Sequence, residues 1–344
     1  MNKNVFKIVF VIIGALIGAG FASGQEIYIF FFSYGLKGLM GIFVSNILMG
    51  TVIYKTLKIL EKNEIKTYKD FLDIIIKRKS KNKYFNIKNI INIIINIFIL
   101  ITFFIMIAGF GAYFEQELGI SSIIGSIILA ILCFIIFLTS IKGVVKANGI
   151  LVPILILLLI FIGLLISKNI NFLKLGNYII ESNPTNWIIS SLLYCSYNSI
   201  LLIPILLTLK SYIKRKNDIK WIAIISSIVG ILLSIIIFLI LIKVDVDIKE
   251  LEMPAVYVVS SMFSFLKIIY GFIILSSIFT TSISLGVSFL QNVSSSRKSY
   301  AQIAVIMCIT AVLISKFGFS NLVNLLYPIF GYLGFLQIFK IFVY

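Results

Sequence analysis

The chain has 344 residues, of which 60% are hydrophobic and 12% are charged, and its mean hydropathy is +1.11. This composition excludes a water-soluble domain and indicates an integral membrane protein. The net charge of +17 does not indicate nucleic-acid binding, because the cations lie in loops between apolar runs and no nucleic-acid recognition motif accompanies them.

Apolar runs of membrane-spanning length recur along the chain, and each predicts a helix because an isolated span must satisfy its backbone hydrogen bonds internally. In chain order the ten predicted spans are 5–33, 36–59, 88–113, 120–140, 147–167, 185–209, 219–243, 264–291, 300–316 and 318–340. Most of the 30 lysines and arginines fall on the inner side if the N-terminus is cytoplasmic. The positive-inside rule therefore predicts that orientation and an even number of spans.

Two polar connections carry short helical patterns. Residues 60–87 form a predicted cytoplasmic loop, in which the amphipathic piece Tyr68–Ile76 is expected to lie along the membrane surface near anionic lipid. On the outer side, residues 244–263 predict a short helix that starts after Pro254 and could act as a lid.

The spans divide into two halves of five, at about residues 1–168 and 185–344. Because five is odd, the second half must cross the membrane in the opposite direction, as in inverted-repeat transporters. In that architecture the first helix of each half is broken near mid-membrane. Two matching interruptions are therefore predicted, one in span one and one in span six.

Both interruptions have candidates in the sequence. Span one contains "IGALIGAGFASGQEIYIF" at residues 13–30, and span six contains "LLYCSYNSILLIP" at residues 192–204. A broken helix exposes backbone N–H and C=O groups that can bind a ligand, and glycine permits close approach. The alternative is that Gly14 and Gly18, with GxxxG spacing, form only a helix-packing face.

Two further features concern ions. Glu26 is the only acidic residue within a predicted span, which indicates a cation ligand or proton carrier; the alternative is a structural anchor or a wetted vestibule residue. In span eight, hydroxyl groups recur on one helix face, at Ser277, Thr281, Ser284 and Ser288, with Thr280 beside them. These oxygens suit Na⁺, but such side chains also commonly bond to their own helix.

Histidine is absent, and Cys133, Cys195 and Cys308 are isolated within apolar runs. This excludes Cys/His metal sites, histidine-based triads and histidine-bound haem, so we expect no cofactor and no metal other than a coupling Na⁺. A single carboxylate within the spans also argues against an intramembrane enzyme.

The motifs "GAGFASGQEI" and "YCSYNS" resemble those of the YkvI-like bacterial membrane protein family. The whole chain resembles the amino acid, polyamine and organocation transporter superfamily, which has an all-α LeuT-type fold of five plus five inverted helices, with helices one and six broken. The resemblance implies a substrate site formed by Gly18, Ala19, Gly20, Ser23, Tyr194, Ser196, Tyr197 and Asn198. It implies an ion site formed by Gly14, Ile17, Ser277, Thr280 and Thr281. Glu26 has no general counterpart in the family, and we add it as a candidate ion or coupling residue because it is a carboxylate within a span.

These features predict a single transporter domain over residues 1–344, in the bacterial cell membrane. The expected function is alternating-access transport of a small amino acid or related zwitterion or amine, coupled to Na⁺ or H⁺. A non-transporting receptor and a passive channel are the alternatives, although the sequence has neither a charged ring nor a carbonyl filter repeat. The expected partners are a small-molecule substrate and the lipid bilayer, and no oligomeric state is predicted.

Overall fold

The computed structural model describes residues 3–65, 67–76, 87–167, 186–244, 251, 253–262, 264–317 and 319–344. Within these ranges the regular structure is helical, without strands. The α-helices are α1 Lys3–Leu16, α2 Ala19–Ala22, α3 Gln25–Phe30, α4 Leu36–Lys62, α5 Tyr68–Ile76, α6 Ile87–Leu118, α7 Ser122–Phe137, α8 Ser140–Ser167, α9 Trp187–Thr208, α10 Lys216–Leu241, α11 Pro254–Met262, α12 Ser264–Val293, α13 Arg297–Ile314 and α14 Phe319–Val343.

Several of these helices can cross a membrane. In the part of the chain that the structure describes, seven are long and apolar enough, namely α4, α6, α8, α9, α10, α12 and α13. The 16-residue α7 and the last part of α14 are shorter apolar segments. The chain is therefore a multi-pass, all-helical membrane protein.

Burial separates the central helices from the lipid-facing ones. In the most apolar stretches of α9 and α12, 83% and 72% of the residues are buried, compared with 22% in α13 and 33% in α8. Helix α9 packs mainly against α14 and α4, and α12 against α6 and α8. Helix α1 packs against α8, α10, α12 and α9. The candidate residues on α1, α9 and α12 therefore lie in the interior.

The prediction of a break in span six is wrong for this structure. Residues 192–204 lie within the continuous helix α9. Polar side chains in this run bond to their own helix: Asn198 Nδ2 donates to the Tyr194 carbonyl at 3.0 Å, and Ser199 Oγ to the Cys195 carbonyl at 2.6 Å. The polar run is thus accommodated without unwinding, and Pro204 also lies inside the helix.

The predicted helix Tyr68–Ile76 is present as α5 with the expected bounds. Its apolar face is covered by protein, since α5 packs against α6 and α14, and Tyr68, Phe71 and Leu72 are at most 2% exposed. The apolar face of α5 is therefore buried against other helices of the protein and not against lipid. Residues 66 and 77–86 of the predicted loop lie outside the described residues.

The short helix predicted after Pro254 is present as α11, and it begins at Pro254 itself. It contacts the first apolar run directly, because the Ala255 N–H donates to the Ser23 carbonyl at 2.8 Å. Next to it, Gln25 Nε2 donates to the Leu251 carbonyl at 2.7 Å. Residues 245–250, 252 and 263 of the same predicted segment are outside the described part.

Candidate substrate and ion site

The first apolar run is divided at residues 17 and 18. The last backbone bond of the α1 series runs from the Ile17 N–H to the Ile13 carbonyl at 2.9 Å, and the next turn begins with the Ala22 N–H on the Gly18 carbonyl at 2.9 Å. Gly18 itself has an extended backbone, with φ −93° and ψ −165°. The hydrogen-bond ladder is therefore interrupted inside the predicted glycine stretch.

Helix α12 approaches this interruption through Thr281. Its Oγ1 lies 2.8 Å from the Gly14 carbonyl oxygen and 3.0 Å from the Ile17 carbonyl oxygen, and the residue is only 2% exposed. One hydroxyl carries a single hydrogen, so it cannot fully satisfy two carbonyl oxygens at once. Three oxygen atoms therefore converge here with unused lone pairs. Oxygen atoms of this kind are the ligands that a hard cation such as Na⁺ prefers.

Two further predicted ion residues, Ser277 and Thr280, lie on the same helix as Thr281. Thr280 Oγ1 is 3.0 Å from the Ser277 carbonyl oxygen, and Ser277 Oγ donates to the Ile274 carbonyl at 2.8 Å. The Ser277 hydroxyl is therefore turned to its own helix, whereas its carbonyl pairs with Thr280. Both residues are fully buried.

The two glycines with GxxxG spacing have different neighbours. Gly14 packs against Asn148 and Val152 of α8, where a side chain would overlap both. Gly18 faces Met106 and Thr281, with Met106 Sδ 3.1 Å from the position a Cβ would take. Both interpretations therefore apply to this stretch. Gly14 permits close packing against α8, and Gly18 lies at the interruption beside Thr281.

Glu26 is buried, with 3% of its surface exposed, and its carboxylate accepts hydrogen bonds from the Tyr197 hydroxyl and the Phe21 N–H. It lies against Gly20, where a Cβ would come within 2.5 Å of Oε1. Gly24 turns the chain so that α3 can return to α2, and its φ of +88° is a conformation that favours glycine. Among the lysines and arginines whose side chains the structure describes, none is buried, so the carboxylate has no basic partner there.

An aromatic cluster borders this carboxylate. The Tyr197 ring stacks on Phe30 with centroids 5.4 Å apart, and Tyr194 meets Phe31 edge-on at 4.8 Å. The two tyrosine rings are 5.6 Å apart and nearly perpendicular. Aromatic faces attract cations, as does a carboxylate, so this region favours a positively charged group.

The other predicted substrate residues contribute differently. Ser23 Oγ donates to the Gly20 carbonyl at 3.1 Å and is a turn residue between α2 and α3. The Ala19 N–H donates to Met106 Sδ at 3.3 Å, and a thioether sulfur is a weak acceptor. Ser196 is buried without a hydrogen-bond partner for its hydroxyl, and its carbonyl lies against Gly334 of α14.

Some neighbours of the site were not predicted. Tyr270 of α12 donates its hydroxyl to the Ala22 carbonyl at 2.7 Å, and Phe30 contacts both predicted tyrosines. A tyrosine inside an apolar helix was a usable signal for Tyr270, because its hydroxyl needs a partner when buried. Met106 carries no such signal, since methionine is an ordinary core residue.

Two relatives from Bacillus subtilis (strain 168) match nearly the full length of the chain. The uncharacterized membrane protein YkvI is 29% identical over 338 residues, which are 95% of this chain and 92% of YkvI. The chain is homologous to YkvI. The uncharacterized protein YyaD is a second homologue, 26% identical over 336 residues, covering 95% of this chain and 93% of YyaD. No family model matches the sequence.

Solved structures show the fold of this YkvI homologue. A Na⁺-coupled sialic acid symporter in a substrate-bound outward-open state superposes with a TM-score of 0.65 at 12% identity, covering 97% of this chain and 76% of that one. MhsT in complex with L-phenylalanine gives a TM-score of 0.67 at 14% identity, covering 98% and 88%. The chain therefore has the LeuT-type transporter fold.

Proposed function

We propose that this protein is a secondary active transporter that moves a small amino acid or related amine by alternating access, coupled to Na⁺. The observation that carries the proposal is Thr281 Oγ1, which lies within hydrogen-bond distance of two carbonyl oxygens at the interruption of the first helix. The likeness of the fold to a Na⁺-coupled symporter supports the reaction class.

The proposed architecture has ten spans in a five plus five arrangement. Helices α1 to α3 together form the first span, and α4, α6 to α10 and α12 to α14 form the other nine. The first span is interrupted between α1 and α2, whereas α9, the first helix of the second half, is continuous over Trp187–Thr208. The N-terminus is placed in the cytoplasm of a bacterial cell, as the charge distribution predicts.

In this proposal Na⁺ links α1 to α12. The ion is held by the carbonyl oxygens of Gly14 and Ile17 and the Thr281 hydroxyl, with the Ser277 carbonyl and the Thr280 hydroxyl completing the shell. Binding favours the conformation in which the two helices approach each other, and a ligand shifts such an equilibrium only by its difference in affinity for the two states. The Na⁺ gradient then drives the conformational cycle.

Glu26 supplies the negative charge for the cationic group of the substrate. A carboxylate within a membrane protein is expensive unless it is paired, and Glu26 receives two hydrogen bonds but no basic side chain in the described part of the chain. The neighbouring rings of Tyr197 and Tyr194 favour an ammonium group beside it. Helix α11, bonded to Ser23, covers the site from the side of Gly24.

Uptake into proteoliposomes tests this function. Purified protein is given a panel of radiolabelled amino acids and amines, with an inward gradient of Na⁺, of K⁺ or of protons. We expect saturable accumulation of at least one amine-bearing solute, driven by Na⁺ alone. Accumulation driven only by a proton gradient would assign coupling to Glu26 instead, and substrate binding without flux would indicate a receptor. Non-saturating flux would indicate a channel.

A further inference from the structure

A lysine-rich groove lies between the first turns of α1 and α8, which pack against each other. Its volume is about 520 Å³, and its basic residues are Lys3, Lys7, Lys142 and Lys146. In each helix the two lysines are one turn apart and therefore share a face. All four are exposed, no acidic residue lines the groove, and none of the four forms an ion pair within the described residues.

The remainder of the groove is largely apolar. Phe6 and Phe10 line one side, with ring centroids 6.2 Å apart, and Ile150 lines the other. Space is open between them, because a Cβ added at Gly149 would meet no atom within 4 Å. An exposed apolar stripe of α8 starts at Ile150, which is 56% exposed, and continues beyond the groove to Leu157 at 67% and Leu164 at 64%. A basic cavity thus opens onto an apolar path along a membrane helix.

Helix stability does not account for these lysines. Lys3 and Lys142 lie in the first turns of α1 and α8, where a positive charge is unfavourable to the helix, and neither first turn contains an acidic residue. The positive-inside rule accounts for cations at this end of the bundle. It does not require that four of them converge on one groove with apolar walls.

We propose that this groove binds an anionic phospholipid of the phosphatidylglycerol type. The four ammonium groups contact the headgroup phosphate, and an acyl chain lies along Phe6, Phe10 and Ile150. Basic pockets between membrane helices are known to suit anionic headgroups. The apolar path favours a lipid over a free phosphate ion, because a phosphate ion has no acyl chain to place along it. The site is separate from the proposed transport site and does not depend on it.

Native mass spectrometry of the detergent-solubilised protein tests the proposal. Phosphatidylglycerol and phosphatidylcholine with identical acyl chains are titrated into the wild type and the Lys7→Gln/Lys146→Gln variant. The matched control is Lys37→Gln/Lys316→Gln, because these two exposed lysines lie outside the groove. We expect the wild type and the control to bind phosphatidylglycerol at least about tenfold more tightly than phosphatidylcholine. In the Lys7/Lys146 variant this preference should be lost, and Lys7→Arg/Lys146→Arg should retain it.

Three results would overturn the proposal. An unchanged preference for phosphatidylglycerol in the Lys7→Gln/Lys146→Gln variant, or an equal loss of preference in the control, would mean that anionic lipids bind generally around the protein. Full displacement of the lipid by millimolar inorganic phosphate would mean that the groove is only an anion site. Because the substituted lysines are exposed, circular dichroism should show the same helicity in all variants.

Discussion

The two polar interruptions of the apolar sequence have opposite structural outcomes. In the first run, the stretch around Gly14, Gly18 and Gly20 ends α1 at Leu16, and the chain resumes as α2 at Ala19. In the other, "YCSYNS" remains inside the continuous helix α9. The difference lies in the side chains, because serine and asparagine can bond to the carbonyl one turn back, whereas glycine offers no such group and tolerates non-helical torsions.

The proposed site is therefore asymmetric. The first run contributes backbone carbonyls of Gly14 and Ile17 together with the Glu26 carboxylate, whereas α9 contributes the side chains of Tyr194 and Tyr197. Ligand contacts through backbone atoms are thus expected from one half, and contacts through side chains from the other.

The largest effect is expected from Glu26→Gln, which removes the charge but keeps an acceptor for the Tyr197 hydroxyl. A charge-assisted hydrogen bond contributes about 1.5–3 kcal/mol, so substrate affinity in uptake assays should fall by about 10- to 100-fold. Tyr197→Phe, which keeps the ring that stacks on Phe30, should cost less than the charge change. Uptake by Glu26→Gln with wild-type KM and wild-type ion dependence would assign the carboxylate a purely structural role.

An intermediate effect is expected from Gly24→Ala, because the left-handed backbone costs an L-residue about 1–2 kcal/mol and the new methyl group also approaches Ala255 Cβ within 3.2 Å. Gly119→Ala is the matched control, since Gly119 also has positive φ but no atom within 4 Å. Thermal denaturation should show a larger loss for Gly24→Ala, together with reduced uptake. Equal losses in the two variants would mean that the close approach of Gly24 to Leu241 of α10 and Ala255 of α11 does not matter.

The smallest effect on transport is expected from Asn198→Ala. The Asn198 amide bonds to the carbonyl of Tyr194 within α9, so its loss should change KM by less than about threefold, even if it lowers stability by about 1 kcal/mol. Measured KM values for this variant and Glu26→Gln provide the comparison. A loss as large as that of Glu26→Gln would show that α9 unwinds during transport and that its polar run binds substrate, as the sequence suggested.

The sequence was sufficient to predict those helices that depend on the pattern of neighbouring residues in the chain. Hydropathy predicted the long helices to within several residues, and the patterns of Tyr68–Ile76 and of the segment after Pro254 predicted α5 and α11. Tertiary contacts decided the rest. The amphipathic face of α5 was predicted to meet lipid but meets α6 and α14, because a pattern of apolar residues does not specify what will cover it.

The candidate site was predicted less completely. The approach of Thr281 to Gly14 and Ile17 was expected only through the family resemblance, because nothing local links residues so far apart in the chain. The link between Tyr197 and Glu26 could not be predicted from spacing either. Each depends on how the interrupted first run packs against α9 and α12.

The central claim is that Gly14, Ile17 and Thr281 form a Na⁺ site, and the most direct test is the thermal stability of the purified protein as NaCl replaces KCl at constant ionic strength. Thr281→Val removes the hydroxyl at constant shape, and Ser282→Ala is its matched control, since Ser282 is equally buried but bonds to the Ile278 carbonyl of its own helix. Above the dissociation constant, each tenfold rise in Na⁺ should stabilise the wild type and Ser282→Ala by about 1.4 kcal/mol. Thr281→Val should not respond. A wild type insensitive to Na⁺, or a Thr281→Val variant that responds like the wild type, would contradict the claim.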